Sequence, residues 1–485
     1  MDSETRTARN FVGGAWTDPS RDGADVENPA TGETVGRVGF SDETDVGEAV
    51  TAAAEAFASW RETPVEERIQ PLFRLKSLLE DEQEELAELL VCEHGKTLAE
   101  ARGEIRRGIE NVEVACGAPT AMQAGHLSNA APEIDETAVR RPVGVFAAVT
   151  PFNFPAMIPL WFLPYAVATG NAFVLKPSER DPHTPTRIVE LAAEAGFPDG
   201  VVNLVHGDAD AVNALCEHPE VAGVSFVGST PVARHVYETA AANGKRVQAQ
   251  GGAKNHVVVS ATADLETAVD GTVGSAFANA GQRCLANPVA VVEDAVYDEF
   301  AARLVERVES MVVGDGLDEE TEMGPLVSAA HRDSVAGYVE TGVEEGAELL
   351  VDGRTAETPD EGHFLGPTVF GDAPRDSALV GEEIFGPILA LVRVPDFGAA
   401  VDVVNDSRYG NAASLFTASG AEAERFRHEA EPGNLGVNVG TAAPMAFFHF
   451  GGAKESFFGD LHAQGDDAVR FYTDETVYIE RWPDA

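Results

Sequence analysis

Cysteine is scarce in this chain. Cys92, Cys116, Cys216 and Cys284 are the only four in 485 residues. No two form a CxxC pair, and no histidine cluster has zinc spacing, so neither a disulfide framework nor a metal site is expected. Each thiol is then either buried filler or a reactive group. Basic residues are few as well: 34 Lys and Arg stand against 81 Asp and Glu, a net charge of -47. Such a surface repels nucleic acid and anionic membranes, and neither is an expected partner. Long apolar runs are missing; none reaches the roughly 20 residues that span a bilayer. The opening MDSETRTARNFVGG has no secretory h-region, so a cytoplasmic location is expected. The dinucleotide fingerprint GxGxxG is also absent, which argues against an ordinary Rossmann dehydrogenase.

What is present is a folded composition, 44% hydrophobic and 24% charged, at a length that calls for two or three domains. The acidic residues are spread among periodic apolar ones and do not form a disordered tail. That pattern suits a solvated shell in high salt, where screening shortens repulsion, and points to a halophilic source.

The first forty residues read as short strands broken by Gly, Pro, Asn and Asp turns. From about Asp42 the pattern turns helical. Leu72, Leu75, Leu79, Leu86 and Leu90 recur at helix spacing, and EARGEIRRGIENVEVACGAPTAM continues as a second helix. Short runs rich in β-branched residues follow at 144–149, 172–176, 201–205, 223–227 and 256–260, most of them separated by helices. That alternation predicts a parallel sheet covered on both faces. A second set after Cys284 (VAVVED, ILALVRV, AASLFT, LGVNV) predicts another α/β lobe. The tail RFYTDETVYIERW alternates like an exposed strand, and a partner edge from another subunit is expected to complete it.

Within this frame a few segments carry chemistry. NAGQRCLAN sets Cys284 in a small, polar stretch, with Arg283 beside it to favour the thiolate. TPFNFPAMIPLWFLP follows the first parallel strand, where α/β proteins bind ligands. Its Asn153 is either a turn residue or an amide aimed at a developing oxyanion. Lys176 and Glu179 of VLKPSE are a solvated turn or a ribose site; in the second case Glu179 repels a 2′-phosphate and favours NAD over NADP. Ser229 of FVGST either caps a helix or meets a pyrophosphate.

Taken in order, PFNFPAMIPLW, GNAFVLKPSE, FVGST, GGAKN, GQRC, EEIFGP, YGN and the FFGD-containing tail cover nearly the whole chain. Together they resemble the aldehyde dehydrogenase superfamily. The resemblance implies an α/β fold with two α/β lobes and a small β oligomerisation flap, forming homodimers or homotetramers. It divides the chain into a NAD-binding domain (1–125 and 144–252), a catalytic domain (253–459) and a flap (126–143 and 460–485). It implies Cys284 as nucleophile and Asn153 as oxyanion donor. Thr150, Phe152, Lys176, Glu179, Gly228, Ser229, Glu383 and Phe385 would line the NAD cofactor.

One departure sharpens the expectation. Hydrolytic members carry a glutamate base where this chain has Gln250, in AQGGAK. An amide cannot take a proton from water, so hydrolysis of an enzyme thioester should be slow unless another carboxylate, such as Glu382 or Glu383, serves. A thiol such as coenzyme A needs no such base. The chain is similar here to the CoA-acylating methylmalonate-semialdehyde dehydrogenases, through KPSERDP, GKRVQAQGGAKNH, PMAFFHFGG and SFFGDLHAQGDDAVRFYT. That resemblance implies Arg107 and Arg283 as a substrate-carboxylate fork, although Arg107 beside Arg106 also reads as a solvated helix residue. It implies decarboxylation of a malonate or methylmalonate semialdehyde to acetyl-CoA or propanoyl-CoA. The competing reading is a hydrolytic enzyme for succinate or 2-oxoglutarate semialdehyde. A catalytically silent binding protein is the third.

Overall fold

The computed structural model describes residues 6–482. After the short N-terminal strands, the helix Glu43–Trp60 begins where the sequence turns helical. Asp42 accepts from the backbone N–H groups of Thr44 and Asp45, and the Asp45 carboxylate answers the Asp42 N–H, a reciprocal cap. Its Val46, Ala49, Val50 and Ala53 form the buried stripe. The leucine series falls on two helices, Gln70–Asp81 and Gln83–His94. The next helix, Leu98–Ala115, is capped reciprocally by Thr97 and Glu100.

An eight-stranded sheet forms the first lobe. Its order is Phe457–Gly459, Arg246–Gln250, Val221–Val227, Val145–Val149, Ala172–Lys176, Val202–Leu204, Asn10–Val12 and Ala15–Thr17. The five strands from Arg246–Gln250 to Val202–Leu204 are parallel. From Val145–Val149 the chain adds strands on one side, then crosses over and adds them on the other. Ligand crevices open at the carboxyl ends of strands beside such a reversal. The helix Pro159–Ala168 covers this sheet and is buried along its whole length, as its all-apolar sequence requires.

The second lobe is a seven-stranded sheet: Glu348–Val351, Thr368–Gly371, Ile388–Val394, Val289–Glu293, His256–Val259, Ala412–Phe416 and Asn434–Val437. Only Glu348–Val351 runs antiparallel to its neighbour. The two predicted α/β lobes are thus both present, each around its own apolar core.

Two expectations change. The tail strand Thr473–Glu480 pairs with Ile134–Pro142 of its own chain, in a three-stranded sheet with His126–Ala131. An intramolecular partner therefore meets one edge, and its other edge has no strand beside it within the described chain. Secondly, Phe457–Gly459 lies inside the segment 253–459 yet hydrogen-bonds to Arg246–Gln250, at the edge of the first sheet. Composition cannot show such a return, because a three-residue strand carries almost no pattern of its own.

Candidate active site

The carboxyl ends of the first sheet face the amino ends of the second. Thr150 to Met157 follow Val145–Val149, while Cys284 precedes Val289–Glu293. Asn153 joins the two: its side-chain amide donates to the Gln282 carbonyl at 3.0 Å, two residues before Cys284. The approach to Cys284 is unusual backbone. Asn279, Ala280 and Gly281 all have positive φ, and a Cβ on Gly281 would fall 2.3 Å from the Gly386 carbonyl oxygen. Left-handed conformations cost energy in non-glycine residues and persist where the surroundings enforce them. Gln282 supplies part of that enforcement, donating to the Asn279 carbonyl at 3.2 Å and accepting from the Val327 N–H at 3.0 Å.

A cavity of about 290 Å³ opens against Cys284. Its lining brings Arg107 and Arg283 to the same space as the cysteine, together with Phe154, Met157, Trp161 and Phe450. Arg107 is oriented by the Pro444 carbonyl at 2.5 Å and by Glu110 at 2.8 Å. Arg106, its neighbour, instead points to Glu113 and Glu80, away from the cavity lining. Helix geometry thus separates two adjacent arginines that the sequence leaves equivalent. Among the described residues no carboxylate forms an ion pair with Arg283.

Arg283 favours the thiolate, as expected from the sequence, but burial opposes it. Burial pushes the Cys284 thiol up to about 12, and Arg283 together with the backbone N–H groups of Cys284 and Leu285 opposes this only in part. Glu383 adds to the upward push. Desolvation outweighs one neighbouring cation, which a linear sequence cannot reveal.

The other predicted residues gather along the cleft between the lobes. The Lys176 ammonium is buried at 3.3 Å from Glu179, and burial lowers its pKa while Glu179 pulls it up. Thr150 is buried, with its hydroxyl unpartnered. The Gly228 N–H donates to the Gln250 carbonyl. Ser229 stands at the N-cap of Thr230–Ala242, but its side chain makes no capping bond. A free hydroxyl, open N–H groups at a helix start and an orphaned threonine fit a pyrophosphate and ribose. Phe152 meets Phe385 edge to face, with ring centroids 5.9 Å apart across the cleft. Glu383 accepts from the Ala253 N–H at 2.8 Å, and burial pushes its carboxyl up to about 7. Glu382 is instead exposed, bound to the Tyr338 hydroxyl.

Gln250 ends its strand buried, with neither amide atom hydrogen-bonded. Nearby Lys254 is buried without a hydrogen-bond partner, and burial pushes its ammonium down to about 7.

Several site residues escaped sequence reasoning. Lys96 and Glu104 form an ion pair of 2.5 Å with no exposure on either side chain. Lys96 also donates to the Asn153 carbonyl at 2.8 Å, and Glu104 accepts from the N–H groups of Ala156 and Met157. The pair holds both sides of the loop carrying Asn153; a buried pair of this kind specifies geometry more than it adds stability. Asn255 and Asn411 both donate to the Cys284 carbonyl. Both end sequence motifs, GGAKN and YGN, but nothing there pointed to the Cys284 carbonyl.

Residues 16–477 match the aldehyde dehydrogenase family. The chain belongs to that family. Among curated aldehyde dehydrogenases it is 47% identical to malonate-semialdehyde dehydrogenase 1 of Oceanobacillus iheyensis, over 99% of this chain and 100% of that one. It is 49% identical to malonate-semialdehyde dehydrogenase 1 of Geobacillus kaustophilus, over 99% and 98%. Among solved structures, methylmalonate-semialdehyde dehydrogenase from Oceanimonas doudoroffii superposes with a TM-score of 0.98 at 43% identity, covering 99% of both chains. A Sinorhizobium meliloti structure described as a methylmalonate-semialdehyde dehydrogenase complexed with NAD gives 0.98 at 41% identity, over 100% and 99%. The aldehyde dehydrogenase fold expected from the motifs is therefore established.

Proposed function

We propose that this aldehyde dehydrogenase oxidises malonate or methylmalonate semialdehyde with NAD, through a Cys284 thioester, and passes the acyl group to coenzyme A. The observation that carries this reading is one cavity lined by Cys284, Arg107 and Arg283; a buried amide, Gln250, also stands at the sequence position of the hydrolytic members' carboxylate base. Two guanidinium groups suit a substrate carboxylate, because each presents a planar fork of donors. Once Cys284 has passed its proton to solvent, its sulfur adds to the aldehyde carbon and the carbonyl π electrons move onto the oxygen. In this reading the resulting oxyanion is held by the Cys284 N–H and by the Asn153 amide, which must give up its bond to the Gln282 carbonyl. NAD, when bound along the Lys176–Ser229–Glu383 cleft, supplies the hydride acceptor. The enzyme is left as a thioester whose β-carboxylate is lost as CO2. The electrons of the broken bond reside in the enolate, which is then protonated. The thiol of CoA displaces Cys284 and releases acetyl-CoA or propanoyl-CoA. Cysteine is a good leaving group, so this exchange proceeds without the base that water requires.

The chain's assembly into a homodimer or homotetramer is part of the same proposal. Exposed Leu127, Val477 and Ile479 on the three-stranded sheet support it.

The test is NADH formation from methylmalonate semialdehyde with and without CoA, with products identified by mass spectrometry. A burst limited to one turnover per site without CoA, and continuous propanoyl-CoA with it, is expected. Equal steady rates in both would instead establish a hydrolytic enzyme.

A further inference from the structure

We propose that Asn255 and Asn411 are positioning residues that set the reactivity of the Cys284 sulfur through the peptide group following it. The inference rests on Cys284 as the nucleophile and adds how the fold prepares it. The Asn255 amide donates to the Cys284 carbonyl at 2.9 Å, and the Asn411 amide donates to the same oxygen at 2.8 Å. A carbonyl oxygen has two lone pairs, and here both are engaged by side chains.

The arrangement is built into the second sheet. Asn255 immediately precedes His256–Val259, and Asn411 immediately precedes Ala412–Phe416. Those strands are parallel neighbours, with His256 opposite Ala413. The two side chains therefore start side by side at the sheet's amino edge. Each is buried and anchored elsewhere. Asn255 also donates to the Ala286 carbonyl at 2.7 Å and accepts from the Ala412 N–H at 2.9 Å. The backbone carbonyl of Asn411 accepts from the Asn434 N–H at 3.1 Å and from the Asn434 amide at 2.9 Å.

The consequence for the sulfur follows from peptide planarity. Fixing the Cys284 oxygen fixes the Leu285 N–H on the opposite side of the same rigid plane. That N–H and the N–H of Cys284 flank the sulfur along the chain and favour its anionic form. A peptide whose carbonyl accepts two hydrogen bonds is polarised and becomes a stronger donor at nitrogen. The two asparagines therefore hold the donor in place and strengthen it, at a site where desolvation works against the anion.

Asn411→Leu removes one donor and keeps the volume close; Asn411→Asp keeps the shape and cannot donate as a carboxylate. In both variants, alkylation of Cys284 by iodoacetamide at pH 8.5, followed on the Cys284 peptide by mass spectrometry, is expected to slow by roughly three- to ten-fold. The rising limb of alkylation rate against pH is expected to move upward. Asn255→Ser, whose hydroxyl is too short to reach the carbonyl, provides a second route should Asn411 variants fail to fold. Rates and pH limbs that superimpose on the wild type in a folded variant overturn the proposal. A lowered melting temperature with an unmoved limb does the same, since it reveals only structural support. Alkylation reports on the sulfur whether or not it is catalytic, so failure here is distinguishable from a misassigned nucleophile.

Discussion

The two sheets of this molecule are similar in construction but opposite in use. The first presents the carboxyl ends of its parallel strands, where loops turn into helices and leave N–H groups open. The second presents the amino ends of its strands, where Asn255, Cys284 and Asn411 are locked by side-chain hydrogen bonds. One edge is suited to receiving a large anionic ligand; the other is suited to holding one reacting atom still. In the proposed mechanism, cofactor recognition and nucleophile placement therefore draw on separate properties of a parallel sheet.

This contrast makes substitutions on the two sides separable. Cys284→Ala is expected to lower kcat by at least about 10³-fold while leaving NAD affinity unchanged by calorimetry. Comparable loss of NAD binding would break the division. Asn153→Ala crosses the line, since it belongs to the first sheet's loop but serves the second sheet's chemistry. It should lower kcat by about 10²- to 10³-fold, with little effect on NAD affinity. Arg107→Ala should raise KM for carboxylated aldehydes by roughly 10- to 100-fold and leave propanal nearly unaffected, as expected for a lost charged hydrogen bond. Equal effects on both aldehydes would remove the carboxylate fork. Lys176→Ala should weaken NAD binding by about ten-fold with kcat at saturation preserved.

The smallest effect concerns pH. The buried Glu383 carboxyl is raised from 4.5 to about 7, so the folded chain holds this proton more tightly than the unfolded chain. Its stabilising contribution is complete below about pH 4.5 and is lost as pH rises through 7. Thermal melts of wild type and Glu383→Gln should therefore differ more at pH 8 than at pH 5, with the wild type losing ground as pH rises. A constant difference would show that Glu383 does not titrate in this window.

The lobes were legible because short β-branched runs alternate with helical stretches; the run at 172–176 is the strand Ala172–Lys176, and 256–260 covers His256–Val259. The motifs around Cys284 and Asn153 were legible, and the structure brings the two segments together. The supports around them were not. Asn411 reaches the Cys284 carbonyl across 127 residues of sequence, and Lys96 reaches the Asn153 carbonyl across 57. Long-range side-chain contacts to backbone leave no periodic trace. The thiol's upward shift was hidden for a related reason: burial is a property of the assembled cavity.

The short strand Phe457–Gly459 has a mechanical consequence. It leaves the second lobe and pairs residue for residue with Gln248, Ala249 and Gln250 of the first. Hinged opening between the lobes would have to break these three residue pairs, so the seam resists it.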